Sequence, residues 1–120
     1  MYHLSRVQMK KIEAIVQPFK FEDVKNALTN IGINGMTISE VRGHDRQKGN
    51  ADIYRSQEHT LDLLPKLQFD LVVSNERLEE TVDTITKAAR TGKLGAGKIF
   101  VYDVIETIRI RNGDRGDAAV

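Results

Sequence analysis

The period of the apolar residues constrains this chain most. It switches from two to about 3.6 and back again, twice, within 120 residues. Residues 10–17, KKIEAIVQ, set Ile12, Ala14 and Val16 on alternate positions with Ile15 on the other face, and Pro18 ends the run, which reads as a strand. FEDVKNALTNI follows with Val24, Ala27, Leu28 and Ile31 at i, i+3, i+4 and i+7, one stripe of a helix, and Gly32 stands where a C-terminal glycine cap belongs. MTISEVRG, with Gly35 before it and Gly43 at its end, predicts a second strand. After Pro65, KLQFDLVV sets Leu67, Phe69, Leu71 and Val73 against Gln68, Asp70 and Val72, a third. Ser74 or Asn75 is placed to cap a second helix, whose first turns carry Glu76, Glu79 and Glu80. Leu78, Val82, Ile85 and Ala89 form its buried face, Arg90 lies in its last turn and Gly92 just beyond. KIFVYDV is a fourth strand and ETIRIR a short fifth. The order β-α-β, long loop, β-α-β predicts an α+β fold: a ferredoxin-like split βαβ sandwich with two helices on one face of an antiparallel sheet. The other face keeps Ile15 and Val72, and self-association would cover it.

Length predicts one domain with a modest core. Lys+Arg number 18 and Asp+Glu 17, a net charge of +1, so there is no general attraction to nucleic acid or anionic membrane. With no cysteine, disulfides, thiol catalysis and thiolate metal sites are excluded. No window approaches ~18 consecutive apolar residues, and the start, MYHLSRVQ, has no apolar run typical of a secretion signal. The expected compartment is the cytoplasm. Residues 1–8 precede a second methionine, Met9, and read as an N-terminal extension or an expression remnant; residues 9–120 read as a single domain.

Three groups of residues invite chemistry. Gly92-Lys93-Leu94-Gly95-Ala96-Gly97-Lys98 satisfies G-x-x-x-x-G-K, but Ile99 replaces the hydroxyl that would hold Mg²⁺, and the order is helix to strand, the reverse of a P-loop. The glycines can still turn N–H groups inward as an anion nest with Lys93 and Lys98 adding charge, or form an ordinary αβ turn. In the expected fifth strand Arg109 and Arg111 share a face, with Ile108 and Ile110 toward the core, and two adjacent forks suit phosphate oxygens. The alternative is a solvated basic edge. If Lys98, Arg109 and Arg111 reach one anion, a polyphosphate site results. Residues 44–65 show neither period; a structureless stretch of ~20 residues is usually functional or disordered. His3, His44 and His59 lack metal-ligand spacing, Ser56 and His59 have nothing to orient them, and the carboxylates are scattered, so no enzyme is expected.

Together these pieces resemble the PII nitrogen-regulatory signal-transduction proteins. The resemblance runs from Met9 to the C-terminus and is carried by MKKIEAIVQPFKFEDVKNAL, GINGMTISEVRG, RQKG, LLPKL and TGKLGAGKIFVYDV…IRIR. It implies a homotrimer that binds ATP or ADP in clefts between subunits, with Mg²⁺ and ATP together admitting 2-oxoglutarate. It also implies a T-loop, about residues 44–62, that docks on a membrane transporter, an enzyme or a regulator, and a B-loop, about residues 91–98. Carried over by motif, Thr37, Gly43 and Asp70 would line the adenine and ribose end. Arg46, Gly95, Ala96, Gly97, Lys98, Arg109 and Arg111 would hold the phosphates. Gln47 would ligate Mg²⁺ and touch 2-oxoglutarate, with Gly49 and Lys66 completing that pocket, and Tyr54, Arg55 and His59 would contact the partner.

The chain also departs from the family pattern. His59 stands at the usual uridylylated tyrosine, and Gln57 at the serine phosphorylated in cyanobacterial members, with Ser56 one place earlier. The usual B-loop G-D-G-K is Gly95-Ala96-Gly97-Lys98, Asp45 replaces a glycine at the T-loop base, and Gln17 replaces a lysine. Two like charges ~4 Å apart cost about 4 kcal/mol at an effective dielectric near 20, so Asp45 weighs against a dicarboxylate ligand. The expectation is a non-catalytic transducer of ATP against ADP in which 2-oxoglutarate sensing is disfavoured. The alternatives are a fully 2-oxoglutarate-responsive protein, a slow nucleotide hydrolase, or an RNA-binding βαββαβ module. The last is disfavoured because aromatic residues are 6% and Phe69, the only aromatic of strand three, faces the expected core.

Overall fold

The alternation in MKKIEAIV makes β1 (Met9–Val16) the centre of a four-stranded antiparallel sheet. The computed structural model describes residues 8–44, 63–92 and 97–120. After β1 come α1 (Phe21–Asn30), β2 (Thr37–Gly43), β3 (Leu64–Ser74), α2 (Leu78–Ala89) and β4 (Gly97–Val104), with 3-10 turns at Pro18–Lys20, Asn75–Arg77 and Gly116–Ala119. The sheet order is β2-β3-β1-β4, and every neighbouring pair runs antiparallel. This is the expected ferredoxin-like arrangement.

One sheet face is dry. Ile12, Ala14 and Val16 from β1 and Phe69, Leu71 and Val73 from β3 are buried under Val24 and Leu28 of α1 and Ile85 and Ala89 of α2. The i, i+4 spacing of Val24 and Leu28 puts both on the stripe that meets the sheet. Phe69 is fully buried and stacks with Phe21, ring centroids 6.1 Å apart. A side chain of this size contributes about 2–3 kcal/mol by leaving water. β3 begins two residues earlier than the alternation predicts, with Pro65 opposite Arg42 near the strand's first residue, a position where a missing N–H is tolerated.

Gly32 ends α1 as expected. Its φ of +86° lets the Gly32 N–H reach the Thr29 carbonyl at 2.9 Å and the Ile33 N–H reach the Leu28 carbonyl at 2.9 Å, the paired bonds of a Schellman end. Arg77 then ties this end to the next helix: its Nη2 donates to the Ile31 carbonyl at 2.6 Å and to Glu80 Oε1 at 2.8 Å.

Two local expectations do not hold. Ser74 makes no side-chain cap bond; a 3-10 turn over Asn75–Arg77 leads into α2 instead, and Thr81, fully buried, donates its hydroxyl to the Arg77 carbonyl at 2.6 Å. ETIRIR is not a fifth strand. A single bridge joins Ile108 to Arg115, and the chain doubles back through Asn112-Gly113-Asp114 with Gly113 at φ +76°. Ile108 and Ile110 do not reach the core: they are 50% and 98% exposed. The tight turn closes before a second strand length accumulates, and the Gly113 N–H bonds the Arg109 carbonyl rather than a neighbouring strand.

Candidate functional site

The register orders the open face of the sheet into rows. From β2 to β4, one row is Ser39, Gln68, Ile15, Lys98 and the next is Thr37, Asp70, Glu13, Phe100; a third is Val72, Lys11, Tyr102. Thr37 and Asp70, expected together, are direct cross-strand partners. The Asp70 carboxylate is already engaged: Gln68 Nε2 donates to it at 3.0 and 3.2 Å, and Lys11 Nζ lies 3.8 Å away. Lys11 also sits 5.5 Å from the Tyr102 ring centroid, and the Tyr102 hydroxyl donates to Glu13 at 3.3 Å. Phe100 and Tyr102 are 44% and 47% exposed. They are the aromatic residues that the sequence reading overlooked, and strand parity, with Ile99 and Val101 on the other face, was the signal that could have found them. Phe69 faces the core, as expected.

The two loops expected to form the site leave the same end of this sheet. β2 ends at Gly43, which pairs with Leu64 where β3 begins; Leu67 pairs with Val16, and Val16 pairs with Gly97 at the start of β4. Gly43, Lys66, Gly97 and Lys98 therefore belong to one end of the sheet. Lys66 is 5% exposed although its partner across the ladder, Val41, is on the open face. A Cβ placed on Gly43 would meet the Lys66 Cγ at 3.6 Å, an ordinary van der Waals contact, so the two positions are near neighbours. Lys98 is exposed. A mainly apolar cavity of about 280 Å³ lies at this end, between the end of α2 and the start of β4, with Val16, Ile85, Ala89, Arg90, Gly97 and Lys98 among its walls. Arg46, Gln47, Gly49, Tyr54, Arg55, His59, Gly95 and Ala96 lie outside the described residues.

Arg109 and Arg111 are elsewhere. β4 carries the chain eight residues from Gly97 to Val104, roughly 23 Å, and both arginines follow its far end. That end is where Met9 pairs with Ser74 and Val104, and where Thr107 Oγ1 donates to Met9 Sδ at 3.3 Å. The expected convergence of Lys98, Arg109 and Arg111 on one anion is therefore not found within a single chain. Arg109 is held by its own tail: Nη1 is 3.4 Å from Asp114 Oδ2 and Nη2 donates to the Ala118 carbonyl at 2.9 Å. Arg111 is exposed at the turn. Among the described residues no group of three or more His, Asp or Glu side chains is arranged to hold a metal ion, and no helix is long and apolar enough to cross a membrane.

Comparison with known proteins agrees with this architecture. The model of the family "Nitrogen regulatory protein P-II" matches residues 9–114. The chain is 52% identical over 112 residues to Nitrogen regulatory protein P-II of Klebsiella oxytoca and to Nitrogen regulatory protein P-II 1 of Escherichia coli K12, covering 93% of this chain and 100% of each relative. Among solved structures, Arabidopsis thaliana PII bound to citrate superposes with a TM-score of 0.79 at 36% identity, covering 98% of this chain and 97% of that one. The match begins at Met9, where β1 begins, and runs through the ladder, the two loop attachments and the arginine pair. The chain belongs to the nitrogen regulatory protein P-II family.

Proposed function

We propose that the protein is a trimeric, non-catalytic signal transducer that binds ATP or ADP between its subunits and regulates a target through the loop at residues 44–62. The observation that carries this reading is the separation of the cations. Lys98 opens β4 beside Gly97, whereas Arg109 and Arg111 follow its other end. One chain cannot close three cations over a triphosphate, but two copies can, if the arginine end of one meets the glycine-rich end of the next. The exposed Phe100 and Tyr102 on the open sheet face, at 44% and 47%, support an assembly that covers that face.

In this arrangement Thr37, Gly43 and Asp70 line the base and sugar, and Arg46, Gly95, Ala96, Gly97 and Lys98 meet the phosphates from one subunit, with Arg109 and Arg111 reaching in from its neighbour. Mg²⁺ would accompany ATP, and Gln47 would be the residue that ligates it. The target is a membrane transporter or a regulatory or metabolic enzyme, and the protein works in the cytoplasm, recruited to a membrane only by such a partner. Because Lys66 is buried at the loop base, and a relative was crystallised with citrate, a second reading has the pocket take a small polycarboxylate such as 2-oxoglutarate. Asp45 opposes it by charge.

Calorimetry separates the readings. ATP and ADP binding with no gain from 2-oxoglutarate is the expected result. Tight 2-oxoglutarate binding in the presence of Mg-ATP would establish the second reading, and absence of any nucleotide binding would refute both.

A further inference from the structure

The C-terminal segment is built to return a carboxylate onto Arg109. The Arg109 N–H donates to the Asp114 carbonyl at 2.8 Å and the Gly113 N–H to the Arg109 carbonyl at 2.7 Å, which closes the turn. Asn112 then fixes the Asp114 side chain: its Nδ2 donates to Asp114 Oδ2 at 3.1 Å, while its own Oδ1 accepts the Asp114 N–H at 3.0 Å. The carboxylate so placed takes Arg109 Nη1, and the Ala118 carbonyl of the terminal turn takes Nη2. Glu106 holds the base of the segment by accepting from the Gly116 N–H at 3.2 Å and from Arg115 at 3.3 Å.

A phosphate recognised by a guanidinium uses two parallel N–H groups of the planar fork. In this structure both terminal nitrogens of Arg109 are engaged within the chain. We propose that Asp114 is an internal stand-in for a nucleotide phosphate, occupying Arg109 when no nucleotide is bound and exchanging with the phosphate when one arrives. This rests on the reading of Arg109 as a phosphate ligand. Two anions compete for one cation, and a phosphate that bound without displacing the carboxylate would meet its charge at close range. The pair is about a third exposed on the arginine side and 42% exposed on the aspartate side, so it is weak enough to yield. Its release also frees the Ala118 carbonyl, so occupancy of the nucleotide site is transmitted to the end of the chain.

The test is ATP calorimetry on the full chain and on Asp114→Asn, with Asp117→Asn as the control that removes one tail carboxylate of the same charge, each at low and high salt. The clasp predicts that Asp114→Asn binds ATP about two- to fivefold more tightly than wild type. The gain shrinks as salt rises, and Asp117→Asn stays at the wild-type value. Wild-type binding with an unchanged or weakened Asp114→Asn overturns the clasp and leaves the nucleotide reading intact. Absence of ATP binding by wild type overturns both, and the two failures are told apart by the wild-type titration alone.

Discussion

Gly97 lies directly against the main-chain carbonyl of Ile15: with Gly97 at φ +130°, a Cβ on it would collide with the Ile15 oxygen. The glycine-rich stretch of sequence thus ends on a position that only glycine fits, at the first ladder pair of β4, next to Lys98. Gly97→Ala must move the strand or strain the backbone. The expected loss is about 2–4 kcal/mol in chemical denaturation, with weaker ATP binding because Lys98 moves too. Wild-type stability in this variant would mean that the β4 start lies differently.

Arg77 joins the two helices by donating to the Ile31 carbonyl at 2.6 Å, past the last turn of α1. Arg77→Ala leaves that part-buried carbonyl without its charged donor and is expected to cost about 1–2 kcal/mol. Glu80→Ala removes only an exposed ion-pair partner and should cost less than about 0.5 kcal/mol. Parallel denaturant titrations of the two variants check the ratio.

Phe100 stands on the open sheet face between Glu13 and solvent. A charge there opposes burial of that face by a second copy, so Phe100→Glu should convert the assembly to monomer. Light scattering reads this as a fall from about three times 13.5 kDa to that single mass. An unchanged mass would place the subunit interface on another surface.

Lys98 is exposed and outside the core, so its removal should leave folding intact. Lys98→Ala is expected to weaken ATP and ADP binding roughly ten- to hundredfold, the effect of losing a charge-assisted bond to phosphate. Any ATP turnover in the purified protein should disappear with it. A turnover near ~1 s⁻¹ in wild type, an ordinary enzyme value, would instead favour the hydrolase.

The legible parts of the sequence were those where one physical rule acted alone. Alternation of Leu67, Phe69, Leu71 and Val73 marks β3 because one face is dry, and Gly32 marks the end of α1 because the Schellman turn needs φ > 0. Thr81 was missed because threonine reads as polar, yet its hydroxyl is satisfied by the Arg77 carbonyl and the residue buries completely. ETIRIR misled because alternating Ile and Arg imitates a strand whatever follows it; the turn at Asn112–Asp114 decides the outcome. Of the expected site residues, Gly97 and Lys98 were readable from the glycine-rich motif itself, whereas Thr37, Gly43, Lys66 and Asp70 entered only through the family resemblance. The relation between Lys98 and Arg109 was not readable: a fifth strand returning beside β4 would bring the arginines back toward Lys98, but ETIRIR turns at Asn112–Asp114 and leaves them at the far end of β4.

That separation makes the central claim directly testable. A nucleotide site shared between copies takes Lys98 from one subunit and Arg109 from the next, so Lys98→Ala and Arg109→Ala chains each form trimers with no complete site. A mixed trimer contains one junction with both residues intact. Calorimetry on tandem-tagged mixed trimers should recover about one wild-type-like ATP site per trimer from two proteins that bind weakly alone. Failure of the mixture to recover any tight site, with mixed trimers verified by mass, would contradict a site built between subunits.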